Sequence, residues 1–259
     1  MSSVEQVLRS NKSAGRGSLV GYFPVGYPNL DDSVTAAVAM ANSGLDILEL
    51  GIPYSDPVMD GEMIQRATEA ARENGFRLSD TFTAIEQIRA ATDVPILVMT
   101  YWNPVLRFGV DDFARKVRAA GGDGLITPDL IPDEGAEWLS ASEDCNLDRV
   151  FLVAPSSSDE RIVNNSNLSR GFVYAVSTMG ITGERSELDS KARALVSRVR
   201  SQSTVPTCVG IGVSTPDQVR EINTYADGAI VGTAFIRAYE TGGIAGLTDK
   251  VSELAGGLG

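Results

Sequence analysis

The chain contains no histidine. That absence removes the commonest general base and the commonest transition-metal ligand, so no metal site is expected. Lysine is nearly as scarce, and Lys12, Lys116, Lys191 and Lys250 are the complete set. Cysteine is limited to Cys145 and Cys208, with no pairing signature around either. Both are read as buried free thiols of a reducing compartment. No apolar run approaches the roughly 20 residues that span a bilayer. The longest, residues 36–41 and 95–99, are core-sized. The N-terminal stretch MSSVEQVLRSNKSAGRG is polar and has no apolar signal core. A cytoplasmic protein is the expectation. The net charge of −12 would repel nucleic acid and anionic membranes, which are therefore poor partners.

What is present is a regular alternation of short β-branched apolar runs with helical patterns, the signature of a parallel sheet with crossover helices. Strands are expected at residues 18–25, 45–50, 95–100, 124–127, 149–153, 172–176, 206–210 and 228–231. Helices are expected at 31–43, 62–74, 79–91, 111–120, 133–143, 158–163, 189–201 and 215–225, with helical sequence from the last strand to about 255. No linker or low-complexity tract divides the chain. Eight β-α units in 259 residues fit one (β/α)₈ TIM barrel spanning residues 1–259 as a single catalytic domain. An open doubly wound sheet is the alternative. In a barrel of this kind the chemistry sits at the C-terminal ends of the strands.

The segment LDILELGIPYSDPVMDG, residues 45–61, is the most informative. Strand side chains alternate faces. Leu48 and Leu50 share the parity that suits the helix-facing layer. Ile47 and Glu49 share the other, which puts a carboxylate at the inner mouth of the barrel. An unpaired charge there is costly to bury, and the alternative is an ion pair with a distant arginine. The following loop is too long for a simple βα turn. It carries Pro53, Pro57, Asp56 and Asp60, and its prolines stiffen it. Asp60 is the candidate second catalytic group. Its alternative is a cap for the helix expected from residue 62.

Glycine-bearing segments follow the later strands at residues 180–183, 210–214 and 232–234, and none contains Lys or Arg. Backbone N–H groups there can cradle a phosphate, unless the segments are only tight turns. Residues 177–187 are polar and glycine-bearing and form a candidate lid. Two mouth carboxylates, a phosphate cradle and a lid point to carbon acid/base chemistry on a sugar phosphate. None of the four lysines follows a strand, which argues against a Schiff base. Without histidine, a metal-dependent aldolase is equally disfavoured. Proton transfer by carboxylates remains.

The stretch LELGIPYSDPVMDG is similar to the tryptophan synthase alpha-subunit family. VGYP (25–28), MTYWNP (99–104), PDLIPDE (128–134), GITGER (180–185), GIGVSTP (210–216) and DGAIVGTAFI (227–236) support the resemblance in order along nearly the whole chain. It implies cleavage of indole-3-glycerol phosphate to indole and glyceraldehyde 3-phosphate, a carbon–carbon lyase reaction of tryptophan biosynthesis. Under it, Glu49 delivers a proton to indole C3 and assists at the glycerol hydroxyl, and Asp60 accepts or stabilises the indole N–H proton. Tyr174 corresponds to a tyrosine beside that aspartate, and Thr182 to a lid threonine that positions it. Gly183, Gly212, Gly232 and Thr233 correspond to the phosphate cradle.

Tyr22 stands against the indole, where the family often has Phe, and Met59 is bulkier than the usual residue before Asp60. The resemblance also implies an α₂β₂ complex with a pyridoxal-phosphate beta subunit, with Asp56, Pro57 and Asn103 at or near the contact. No cofactor is implied for this chain itself. A free-standing indole-releasing lyase, another sugar-phosphate isomerase or epimerase, and a catalytically silent regulatory subunit are the competing readings.

Overall fold

Apolar side chains on the strands divide cleanly between two layers. Val20, Ile47, Leu97, Ile126, Val150, Phe172, Cys208 and Ile230 pack on one another inside the sheet. Leu19, Phe23, Leu48, Leu50, Val98, Leu125, Val173, Val209 and Val231 pack outward into the helical layer. A sheet with both faces apolar must be covered on both, and closing it on itself does that. The structure, a computed structural model, describes residues 2–176 and 185–259, with backbone alone for residues 185–189.

Among the described residues the strands are β1 (Leu19–Pro24), β2 (Ile47–Gly51), β3 (Ile96–Met99), β4 (Gly124–Ile126), β5 (Asp148–Val150), β6 (Leu152–Val153), β7 (Val173–Val176), β8 (Thr207–Gly210) and β9 (Gly228–Val231). All described pairings are parallel. The order is β5-β4-β3-β2-β1-β9-β8-β7-β6. The two ends of that order, β5 and β6, are separated in sequence only by Phe151. They are the halves of one strand, the expected fifth, so nine segments make an eight-fold barrel. The ladder crosses the break, because Tyr174 N–H donates to the Phe151 carbonyl at 3.1 Å.

The helices are α1 (Ser3–Ser13), α2 (Leu30–Asn42), α3 (Glu62–Glu73), α4 (Leu78–Arg89), α5 (Trp102–Phe108), α6 (Val110–Ala120), α7 (Ala136–Asp144), α8 (Asp159–Leu168), α9 (Arg185–Gln202), α10 (Pro216–Tyr225) and α11 (Thr233–Ala255). Two of them correct the sequence reading. The polar N-terminal stretch forms α1, capped by Ser2, whose Oγ accepts from Glu5 N–H at 3.2 Å. Val4 and Leu8, one turn apart, are its buried residues and join the interior cluster. The helix therefore packs on the N-terminal end of the barrel. Truncating Leu8 to Ala should cost about 2–5 kcal/mol, the usual range for a buried leucine. The second is α5, which follows β3 directly.

Cys208 is buried in the barrel interior, whereas Cys145 is only half-buried, and both are free thiols. No described helix is long and apolar enough to cross a membrane.

Candidate active site

Glu49 is the polar exception on the inner face of β2. Ile47, two residues below it, belongs to the barrel interior. Glu49 is only 1% exposed, and its Oε2 has no hydrogen-bond partner among the described residues. Removing a carboxylate from water without a partner favours its neutral form. Burial, with the charge of Asp60 adding to it, pushes the Glu49 carboxyl up to about 8. Among the described residues no cation offsets the effect, so a structural ion pair with any of them does not explain this residue.

Asp60 comes from the loop after β2. Two tight contacts shape the loop, Val58 N–H to the Asp56 carbonyl at 2.9 Å and Asp60 N–H to the Pro57 carbonyl at 3.0 Å. Gln65, from the first turn of α3, reaches back to the Asp60 carbonyl at 2.8 Å. The N-cap of α3 is Gly61, and no side chain caps the helix. Asp60 is therefore not spent on capping. Its carboxyl is half-buried, and burial raises it to about 6 while a hydrogen bond from Tyr101 opposes the rise. At neutral pH the site then holds a protonated Glu49 beside an ionised Asp60. Two carboxyls raised to different extents in this way are an arrangement able to offer an acid and a base.

The surroundings are aromatic and apolar. Tyr22 lies opposite Glu49 in the β1–β2 register. Gly51 gives its ring room, since a Cβ at 51 would lie 2.1 Å from the Tyr22 hydroxyl. Tyr174 is treated similarly on the far side, where a Cβ at Gly210 would come within 2.6 Å of its hydroxyl. Both phenols are held well above their ordinary range, first by burial and then by the two carboxyls, so both stay protonated. Tyr22 also packs with Ala67 and Ile236, and Met63, Ile64 and Met99 border that cluster. This is a dry wall suited to a flat apolar group.

Of the described glycine loops, the one at Gly232 lies beside that wall. Gly212 has φ +73°, a left-handed conformation that side chains resist. The amides of Ser214 and Thr215 are taken up by Gln218 Oε1 at 2.7 and 3.1 Å, so the cradle falls to the glycine-bearing part before them. Gly232 is the N-cap of α11 and no side chain caps that helix. The Thr233 and Ala234 N–H groups thus head a helix, where an anion is favoured. A Cβ at Gly232 would lie 3.4 Å from the Tyr22 ring and 3.6 Å from Ile64. The head of α11 and the apolar wall are adjacent.

Glu49, Asp60, Tyr22, Tyr174, Gly212, Gly232 and Thr233 therefore gather at the C-terminal mouth of the barrel. Thr182, Gly183 and the 177–187 lid segment lie wholly or partly outside the described residues. Asp56 and Asn103 are exposed and Pro57 is half-buried. Near them stand Val58 and Leu106, 80% and 49% exposed, the large exposed hydrophobics among the described residues. The sequence reading did not single out Ile64, Met99 or Tyr101. Met99 and Tyr101 stand in the MTYWNP motif, but their parity toward the site emerges only once β3 is in register with β2.

A family model described as tryptophan synthase alpha chain matches residues 8–255. A tryptophan synthase alpha chain of Leifsonia xyli subsp. xyli is 56% identical over 257 residues, covering 99% of this chain and 98% of the relative. One from Mycobacterium avium is also 56% identical, over 94% of this chain and 89% of the relative. A crystal structure of tryptophan synthase from M. tuberculosis, in an aminoacrylate-bound form, is similar at TM-score 0.93 and 50% identity, with 100% of both chains covered. A mutant alpha subunit from the hyperthermophile Pyrococcus furiosus is similar at TM-score 0.85 and 33% identity, covering 93% of this chain and 98% of that one.

Proposed function

The chain belongs to the tryptophan synthase alpha chain family, and on that footing we propose that Glu49 and Asp60 perform the family's reaction as a divided acid–base pair. The reaction is the retro-aldol cleavage of indole-3-glycerol phosphate to indole and glyceraldehyde 3-phosphate, a carbon–carbon lyase step of tryptophan biosynthesis. The observation that carries the assignment is a buried Glu49, its Oε2 unpartnered among the described residues, beside an Asp60 that caps no helix, and burial raises the Glu49 carboxyl further than the Asp60 carboxyl.

Protonated Glu49 delivers its proton to indole C3, which breaks the aromaticity of the five-membered ring. The positive charge this creates is shared with the ring nitrogen. Ionised Asp60 stabilises the N–H there, and a proton it accepts returns to the nitrogen as the carbon–carbon bond breaks. Glu49, now a carboxylate, takes the proton of the glycerol hydroxyl. The carbon–carbon bond then breaks, its electrons restore the indole, and the aldehyde departs. Glu49 ends protonated again, so no net proton is needed. Tyr22, Ile64 and Met99 hold the indole plane. Tyr174 lines the opposite side, and Gly212, Gly232 and Thr233 take the phosphate, with Gly183 and Thr182 assigned by family correspondence alone.

The partner is the tryptophan synthase beta subunit in an α₂β₂ complex, seated over Asp56, Pro57 and Asn103. Pyridoxal phosphate is assigned to that partner. In this chain Lys12, Lys116, Lys191 and Lys250 all lie in helices, none at the end of a barrel strand. We place the protein in the cytoplasm, acting as one catalytic domain.

The test is indole release from indole-3-glycerol phosphate by the purified chain, with and without a beta subunit. Cleavage stimulated by the partner is expected, as is much weaker binding of a substrate analogue without phosphate. No indole release under either condition would overturn the assignment. Release that ignores the partner would instead indicate a free-standing lyase.

A further inference from the structure

Asp60 stands on a loop, and a loop carboxylate must be held in place to act as a base. The sequence motif MTYWNP supplies the holder. Tyr101 is 4% exposed and follows β3 as the N-cap of α5. Its hydroxyl accepts the Met59 N–H at 2.8 Å, and the same phenol bears on the neighbouring Asp60 carboxyl, whose proton affinity it lowers. A phenol has one proton and spare lone pairs, so it can serve the amide and the carboxyl together. One tyrosine thus grips the backbone just before Asp60 and the carboxylate itself.

Tyr101 is itself fixed. The next residue, Trp102, donates its N–H to both carboxylate oxygens of Asp129 at 2.9 and 3.2 Å. The Tyr101 ring is stacked on Tyr54, with centroids 5.2 Å apart and planes 28° from parallel. The Tyr54 hydroxyl accepts from the Asn103 side-chain amide at 3.0 Å. The loop after β2 is therefore joined to the start of α5 by two rungs. The inner rung is Tyr101 with Met59 and Asp60. The outer rung is Tyr54 with Asn103, and the ring stack connects them. Asn103 is exposed, so the outer rung opens on the surface while the inner rung ends on the proposed base.

We propose that Tyr101 is a positioning residue for Asp60, and that the Tyr54–Asn103 rung makes this positioning answer to the beta subunit docked over it. The proposal rests on the reaction and partner assigned above. Tyr101 acts on Asp60 in two ways. Its O–H favours the ionised carboxylate that the base role needs. Its hold on Met59 stops the loop from carrying that carboxylate away from the mouth. A partner that presses on Asn103 tightens the outer rung and, through the stack, the inner one.

The experiment uses the full chain as Tyr101→Phe and as Tyr54→Phe, each with and without beta subunit. Tyr101→Phe keeps the ring stack and deletes the Met59 hydrogen bond and the phenol's hold on the Asp60 carboxyl. The low-pH limb of its cleavage profile should move up by about one unit, the scale of one lost hydrogen bond to a carboxylate. Carbon NMR of the Asp60 carboxyl should titrate higher by the same amount. A uniform loss of rate at every pH with no change in that titration would reduce Tyr101 to a packing role and overturn the first half.

Tyr54→Phe should lose at least fivefold of the partner's stimulation, a coupling of about 1 kcal/mol, while calorimetric affinity for the beta subunit stays within threefold. Full stimulation in Tyr54→Phe would overturn the second half. If the unaltered chain releases no indole, the assigned reaction fails, while the NMR titration still decides whether Tyr101 controls Asp60.

Discussion

Tyr22 faces Glu49 across the β1–β2 ladder, and its ring occupies the space that a side chain at Gly51 would need. The three residues form one device. β2 gives up a side chain at 51, the aromatic ring moves into the gap, and the carboxyl two residues earlier loses its water. That drying is the first cause of the raised Glu49 proton affinity.

Gly51→Ala should therefore disturb chemistry more than fold. A Cβ there would sit 2.1 Å from the Tyr22 hydroxyl and 2.4 Å from its Cζ, so the ring must move. Overpacking of this kind costs about 1–3 kcal/mol. A second change, Tyr22→Ala, removes the clash, and the double variant should be more stable than the two single costs summed. Denaturant titration of all four proteins measures the coupling. Strict additivity would show that the ring has another place to go.

The pH dependence of cleavage has a defined sign. Asp60 must be ionised, so activity should fall as pH drops through about 6. Glu49 must be protonated at the first step, so activity should fall as pH rises through about 8. The turnover profile should be a bell between those limbs, which report the coupled pair rather than either acid alone. A rate still rising well above pH 8 would remove Glu49 from the acid role.

Glu49 also imposes a stability cost that rises with pH. Its folded value lies near 8, far above an ordinary glutamate near about 4.3. A raised folded value means that the folded state holds the proton more tightly. Stability is then lost as pH climbs from the ordinary value through the folded one. Glu49→Gln carries no such charge. Its advantage over the unaltered chain should grow from pH 5 to pH 9, reaching on the order of a few kcal/mol. Urea unfolding at those two pH values checks this, and an advantage that does not change with pH would show that the site is wetter than its geometry indicates.

Much of the site was readable because β2 is simple. Ile47, Leu48, Glu49 and Leu50 alternate faces strictly, and the observed layers follow that alternation. Asp60 was readable from its place in a long stiff loop, although only the observed Gly61 cap released it from the helix-capping alternative. Other features resisted for physical reasons. Helix α1 has few apolar residues, and its partners are the undersides of strands distant in sequence. Helix α5 carries Pro104 in its first turn, where proline is tolerated but reads as a loop signal. The Tyr101 grip joins residues 42 positions apart, and no local pattern encodes it. The break at Phe151 left the expected fifth strand in two pieces.

The central claim is that Glu49 and Asp60 carry the proton transfers, and the turnover of Glu49→Gln and Asp60→Asn tests it most directly. Each change is nearly isosteric, so the fold should persist by circular dichroism. With indole-3-glycerol phosphate and a beta subunit present, each should lose at least ~10³-fold in indole release, within the range for a positioned acid or base. Near-normal release by either variant would contradict the assignment of that residue.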